Sequence, residues 1–329
     1  MSQRNAYVTG GTGFIGINLI KKLLDQGWNV TTLHRKSSDI SRLVKLPVNL
    51  VEGSITDKKS ISKNFPENID AVFHLAGDTS LWSKKNETQT AVNVEGTKNV
   101  LQVAVDHHAG AFIYTSSASA WGTLENCTIT EDLPQNGHSS WVNYERTKWE
   151  AEQAVRNFEQ NQMKVVILNP TAVTGPFDIN NWGKLFIGIK EKTLPVIPNG
   201  IISVTHVDEV AKAHISAVDH GINGANYILS GEDCRFETFI SKIARAIDVD
   251  HRPIKAPDFI LKYVAYVQKA VSHITKMEPK ITPELVKIMT RKQVSYSSQK
   301  AKEQLGYKII PLEKSINDCC RWLKSEGYL

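Results

Sequence analysis

The chain has 329 residues, 41% of them hydrophobic and 22% charged, which is the composition of a folded globular protein of one large or two moderate units. The formal net charge is only +5, and the basic residues fall in scattered pairs such as Lys21-Lys22, Lys58-Lys59 and Lys84-Lys85, so a nucleic-acid partner is not expected. Four cysteines without a Cys-x-x-Cys pair argue against a metal site and suit a reducing compartment. The N-terminus has no apolar signal core and no apolar run reaches ~18 residues, so a cytoplasmic location without stable membrane insertion is expected.

Short apolar runs alternate with helical patterns through about residue 170. Tyr7-Val8-Thr9 reads as a strand, and Phe14 to Gln26 as a helix with apolar residues at Phe14, Ile17, Leu19, Ile20, Leu23 and Leu24. Strands are expected at Asn29 to Leu33, Val48 to Val51, Ala71 to Leu75, Ala111 to Thr115 and Val165 to Leu168, with helices at Thr90 to His108 and Tyr144 to Gln160. Strict alternation implies a doubly wound α/β fold, a parallel sheet with helices on both faces. After Pro170 the rhythm breaks at Pro176, Pro195 and Pro198. Val210 to Val218 reads as a helix and Asn226 to Leu229 as a strand; helical pieces follow. We therefore expect a nucleotide-binding unit over 1–170, a smaller and mostly helical lobe over 171–329, and segments around 200–230 that return to the first unit. Phe259 to Val271 is apolar over much of its circumference. A buried helix of the second lobe is the favoured reading there, ahead of a substrate-pocket wall or a membrane contact.

Thr9-Gly-Gly-Thr-Gly-Phe-Ile-Gly16 stands between the first strand and the first helix and holds Gly10, Gly11, Gly13 and Gly16. Glycines there allow a tight turn and let the backbone touch a pyrophosphate at a helix N-terminus, the fingerprint of a Rossmann-type dinucleotide site. The second strand ends Leu33-His34-Arg35-Lys36. An acidic residue at that place would hold a ribose 2′-hydroxyl; Arg35 and Lys36 suit a 2′-phosphate instead, which favours NADP over NAD.

Tyr144 and Lys148 lie four apart, on one helix face. An ammonium near a phenol favours the phenolate, so a lowered tyrosine pKa is expected. Thr115-Ser116-Ser117 ends the strand at 111–115, where ligands of open parallel sheets bind, and one of the two serines is a candidate donor to a carbonyl.

Together with His74-Leu-Ala-Gly77, Asn93-Val-Glu-Gly-Thr97, Asn169-Pro-x-x-x-x-Gly-Pro176, Thr205-His-Val-Asp208 and Leu305-Gly-Tyr307, these motifs resemble the extended short-chain dehydrogenase/reductases over nearly the whole chain. The resemblance implies Tyr144 as general acid/base, Lys148 as its partner and nicotinamide-ribose ligand, and Ser117 as carbonyl donor. It implies Phe14 and Ile15 as pyrophosphate donors, Arg35 as 2′-phosphate ligand, Leu75, Ala76 and Gly77 as the wall beside the adenosine, and Pro170 and Val173 as nicotinamide pocket. The acidic–aliphatic pair that contacts adenine in this family reads Ser54-Ile55 here, which leaves that contact weaker or passes it to Asp57. The segment Ile202 to Asp208 lacks the Arg-Asp-Phe common in nucleotide-sugar epimerases. The expected activity is therefore NADP(H)-dependent reduction of a ketone or aldehyde by a dihydroflavonol reductase-like or 3β-hydroxysteroid dehydrogenase-like enzyme acting on a small carbonyl or alcohol substrate. An NAD-dependent epimerase/dehydratase is the alternative, and a dinucleotide-sensing regulator ranks below both. Trp82, Trp121 and Trp182 are candidates for substrate contact or ordinary packing. The helices at 90–108 and 144–160 resemble those of a four-helix homodimer contact in the family, with Trp149, Val155 and Phe158 as contributors.

Overall fold

The computed structural model describes residues 3–158, 163–194, 196–251, 253–290 and 294–329. Its centre is a seven-stranded, all-parallel sheet. The strands are β1 (Asn5–Thr9), β2 (Asn29–His34), β3 (Asn49–Glu52), β4 (Ala71–His74), β5 (Ala111–Thr115), β6 (Lys164–Pro170) and, from much later in the chain, β9 (Asn226–Leu229). Their spatial order is β3-β2-β1-β4-β5-β6-β9. The order reverses between β1 and β4, so the connections leave in opposite directions there and open a crevice at the strand ends.

β4, β5 and β9 are buried along their whole length, as strands covered on both faces must be. One face is covered by α1 (Phe14–Asp25) and α6 (Val207–His220), which bury Ile17, Leu19, Ile20, Leu23, Val207, Val210 and Ala211. The other face carries α2 (Lys58–Lys63), the helix α3 (86–106) and α4 (Asn143–Arg156). α3 runs without a break, but residues Ala91–Glu95 widen into a π turn. α4 ends at Arg156; Gln160, where the sequence places the helix end, lies outside the described residues, as does Pro195.

A second, smaller sheet joins β7 (Ala172–Thr174), β8 (Ile201–His206) and β10 (Glu232–Arg235). It packs with α5 (Gly183–Lys190), α7 (Phe236–Ala246) and a late helix at Leu312–Ser325 around Phe186, Phe236, Phe239, Ile243, Cys319 and Leu323. The late helix follows α8 (Asp258–Thr275), α9 (Pro283–Met289) and α10 (Gln299–Leu305) and is α11.

α8 departs from the sequence expectation of a buried helix. Among its described residues only Leu261, Ala265 and Ser272 are buried, the first two against α9 and the third where its carbonyl accepts Lys84, while Phe259, Tyr263, Tyr266 and Ile274 face solvent. The apolar circumference is real, but the lobe supplies a partner for one narrow stripe of it.

Phe239 is fully buried and meets Trp182 and Phe236 edge-on. Phe239→Ala is expected to cost roughly 3–5 kcal/mol, the usual loss for a buried phenylalanine. Urea unfolding followed by tryptophan fluorescence would read this as a lower midpoint with an unchanged slope.

Candidate functional site

The glycine loop joins β1 to α1. Gly10 has φ +75°, and a methyl group on it would lie 2.6 Å from the Ala76 amide nitrogen, so the loop presses directly on the end of β4. A methyl on Gly16 would lie 2.2 Å from the Gly10 carbonyl oxygen, so this glycine lets α1 start against the loop. Gly13 differs: around a methyl placed there only the Gly10 carbonyl lies close, and the rest of its surroundings are open. Gly13 is also the N-cap of α1, which has neither a capping side chain nor an acidic residue in its first turn. The amides of Phe14, Ile15 and Gly16 thus begin a helix whose positive end is uncompensated, beside an open groove. That arrangement fits a pyrophosphate and hence a dinucleotide.

The other expected cofactor residues lie along the same edge of the sheet. Arg35 follows β2 and is exposed; among the described residues no carboxylate pairs with Arg35 or Lys36. Asp39, the nearest acid, is turned to its own loop, where it accepts the Ser41 amide at 2.9 Å. Ser54 and Ile55 follow β3. The Ser54 hydroxyl meets that of Thr56 at 2.8 Å, and Ile55 is buried against Gly96. The Asp57 carboxylate caps α2 by accepting the Lys59 and Ser60 amides at Oδ1. Leu75 and Ala76 are tied to Thr9, and Gly77 faces the Asn93 side chain and the Lys148 ammonium. Pro170 ends β6 and is buried, and Val173 is buried on β7 opposite Thr205.

Tyr144 and Ser117 meet at the end of β5. Ser117 has extended backbone and caps the short turn at Ala118–Trp121, accepting the Ser119 amide at 3.1 Å, and its hydroxyl lies close enough to Tyr144 to favour the phenolate. Ser116 is buried, so geometry separates the two serines. Lys148 is buried, donates to the Thr115 carbonyl at 3.1 Å and lies 5.4 Å from the Tyr114 ring centre. Burial pushes the lysine down to about 8, against the opposing charge of Glu152. The expectation of a lowered tyrosine pKa is not met: burial raises Tyr144, and the Ser117 hydrogen bond offsets that only in part. The ammonium is committed to Thr115 and the Tyr114 ring, and desolvation dominates.

Four supporting residues are given no role of their own in the sequence reading. Glu152 is fully buried, one turn beyond Lys148, and accepts from Gln135, Asn169 and Asn226. Asn169 donates in turn to the Ser117 carbonyl at 3.1 Å. Asn93, in the π turn of α3, donates to Thr147 at 3.0 Å and clamps the Asp78 backbone on both sides. A π turn redirects side chains and is common at functional sites. His74, buried between Thr9 and Thr97, is held neutral, down to about 3, by burial and by Lys148. The four-residue spacing from Lys148 to Glu152 was the available signal for Glu152.

The three tryptophans divide. Trp121 is fully buried and donates to the Leu133 carbonyl, Trp182 packs on Phe236 and Phe239, and Trp82 lies beside Lys84 and Lys85. Val155 is part of the core under the sheet, and Phe158 packs against it. In the loop after Arg35, Arg42 pairs with Glu326 at 3.2 Å and lies over the rings of Phe177 and Trp322. A cavity of about 310 Å³ lined by Trp141, Lys262, Tyr266, Pro283 and Lys287 opens three residues before Tyr144.

A parallel sheet with this strand order, a glycine cradle at its switch point and a Tyr–Ser–Lys cluster define a dinucleotide-dependent oxidoreductase. The chain belongs to the NAD dependent epimerase/dehydratase family, whose model matches residues 6–229, and so to the extended short-chain dehydrogenase/reductases. It is 28% identical to a Synechocystis sp. protein whose name assigns it provisionally as a dihydroflavonol 4-reductase, over 98% of this chain and 95% of that one. It is 27% identical to a decarboxylating sterol-4-alpha-carboxylate 3-dehydrogenase of Candida albicans, over 99% of both chains. The crystal structure of gox2253 superposes with a TM-score of 0.85 at 28% identity, over 99% of this chain and 100% of that one.

Lys148 carries a stability cost that can be measured. Between pH 8 and the ordinary lysine value the unfolded chain holds a proton that the folded chain does not, so stability rises with pH through that window. At neutral pH the folded state bears the cost, roughly 3 kcal/mol at ~1.4 kcal/mol per pKa unit. The melting temperature of the wild type is therefore expected to rise by a few degrees between pH 8 and about 10 as far as Lys148 governs it. Lys148→Met, which strips buried Glu152 of its compensating charge, should melt lower at pH 7 and lack that rise, and a calorimetric pH series on both proteins would show it.

Proposed function

We propose that the chain is an NADP(H)-dependent reductase of ketones or aldehydes, with Tyr144 as general acid. The observation that carries this reading is the meeting of Tyr144 with Ser117 at the open end of β5, where the buried Lys148 ammonium is held on the Thr115 carbonyl of the same strand. When bound, the nicotinamide supplies the hydride. Ser117 and Tyr144 accept a substrate carbonyl between them and polarise it by two hydrogen bonds. As negative charge develops on the carbonyl oxygen, Tyr144 gives it the phenolic proton, and the Lys148 charge stabilises the phenolate left behind. A raised tyrosine pKa serves this direction, because the proton to be donated is in place at neutral pH.

NADP is preferred over NAD in this reading because the unpaired Arg35 stands where the 2′-phosphate arrives and Asp39 is occupied by its own loop. The names of the relatives, a reductase and a sterol dehydrogenase, support a carbonyl or secondary alcohol as substrate. A cytoplasmic, homodimeric enzyme remains part of the proposal. The outward residues of α3 and α4 are the surface for the dimer; Val155 belongs to the core and does not contribute.

Tyr144→Phe is expected to lower kcat for NADPH oxidation with aldehydes and ketones by about 10²–10⁴-fold, while NADPH still binds. An unchanged rate would sink the acid role, and copurified NAD with no net oxidation would point to an epimerase. In the wild type, kcat/KM for reduction should hold below pH 8 and decline above it, as Lys148 loses its proton. Arg35→Ala should raise the KM for NADPH by about ten- to a hundredfold and leave that for NADH nearly unchanged, since only the 2′-phosphate contact is lost.

A further inference from the structure

We infer that α8 is a membrane-surface element, which lays its outer face on anionic lipid. The helix is amphipathic in an unusual sense. Its narrow inner stripe, Leu261, Ala265 and Ser272, packs on the lobe. Phe259, Tyr263, Val267, Val271 and Ile274 recur at spacings of three and four and so share one outward face, which Met277 extends beyond the helix end. Phe259 and Tyr263 are each 71% exposed and Ile274 is 84% exposed, far above what an ordinary surface leaves to such side chains.

The charges say what covers this face. Lys262, Lys269 and Lys276 follow one another every seven residues along one border of the apolar arc, and Lys280 continues the line. Among the described residues Lys262, Lys276 and Lys280 pair with no carboxylate, and Lys269 reaches Glu284 only at 3.8 Å. Long lysine stems lie along apolar surface and lift their ammonium groups to the headgroup level, where anionic lipid attracts them. Aromatic side chains at the edge of the arc favour the same boundary. A protein partner fits less well: lysine is depleted at protein interfaces, and such interfaces need about one hydrogen bond per 100–200 Å², whereas the outer face offers only tyrosine hydroxyls. No helix among the described residues is long and apolar enough to cross a membrane, so α8 lies on the surface. Beside the lysine border, Lys262 and Tyr266 also line the cavity that Trp141, Pro283 and Lys287 complete.

The test is flotation of the full chain with vesicles of phosphatidylcholine alone and with vesicles holding about 30% phosphatidylglycerol. The wild type should float with the anionic vesicles and be released by roughly 0.5 M salt, where the Debye length shrinks to a few ångströms. The triple variant Phe259→Ser/Tyr263→Ser/Ile274→Ser should lower the partition by about tenfold or more. Lys262→Glu/Lys276→Glu should lose binding to anionic vesicles selectively. Both variants should bind NADPH like the wild type, which reports folding and is independent of whether the reductase reading holds. A wild type that stays in buffer with every vesicle, or a triple variant that floats equally well, overturns the proposal. So does a dimer seen without lipid and abolished by the triple variant, which would assign the face to a second copy of the chain.

Discussion

The charge of Lys148 is buried in the middle of the protein, and much of the surrounding structure can be read as the means of keeping it there. Its ammonium has a backbone carbonyl and an aromatic ring beside it, both from β5, and feels the charge of a carboxylate on its own helix. Thr115 fixes it to the end of β5, and the Tyr114 ring lies beneath it. Glu152 supplies the compensating charge from one turn further along α4. Glu152 in turn holds Asn169 and Asn226, so the same charge balance fastens α4 to β6 and to β9, although β9 comes some sixty residues after β6 in the chain. A buried ion that lost one of these partners would cost several kcal/mol, so the cluster resists piecemeal change.

Most of this was legible in the sequence where a physical period or a backbone constraint governs. The strands of the central sheet are short apolar runs between helical patterns, and their ends carry the glycine loop, the serines and the Tyr–Lys pair. The π turn at Ala91–Glu95 was not legible, because widening one turn leaves the apolar spacing nearly unchanged. Glu152 was missed because a carboxylate on a helix normally faces water; its burial depends on amides from β6, β9 and a loop that no local pattern brings together. The tyrosine pKa was misjudged for a related reason. Spacing puts Tyr144 and Lys148 on one face, but the ammonium's commitment to Thr115 and the depth of the site are tertiary facts.

α8 shows the limit of periodicity in a different way. An apolar circumference says that a helix avoids water, not which neighbour relieves it. Here the lobe is too small to wrap the helix: its own core, around Phe236, Phe239 and Cys319, is closed by α7 and α11, and α8 packs on α9, Val196 and Ile281 and accepts the Lys84 ammonium at its Ser272 carbonyl. The chain thus leaves an apolar surface on the outside of the lobe rather than within its core.

The loop that carries Arg35 is not a free surface turn. Through Arg42 it is fastened to Phe177, to Trp322 on α11 and to Glu326, a residue 284 positions later. With Arg35 in the role proposed for it, selection among dinucleotides would be mechanically joined to the far end of the polypeptide. A lesion in the final helical turn, distant in sequence from every reacting group, would register first as a blurred choice of coenzyme and only afterwards as slower chemistry.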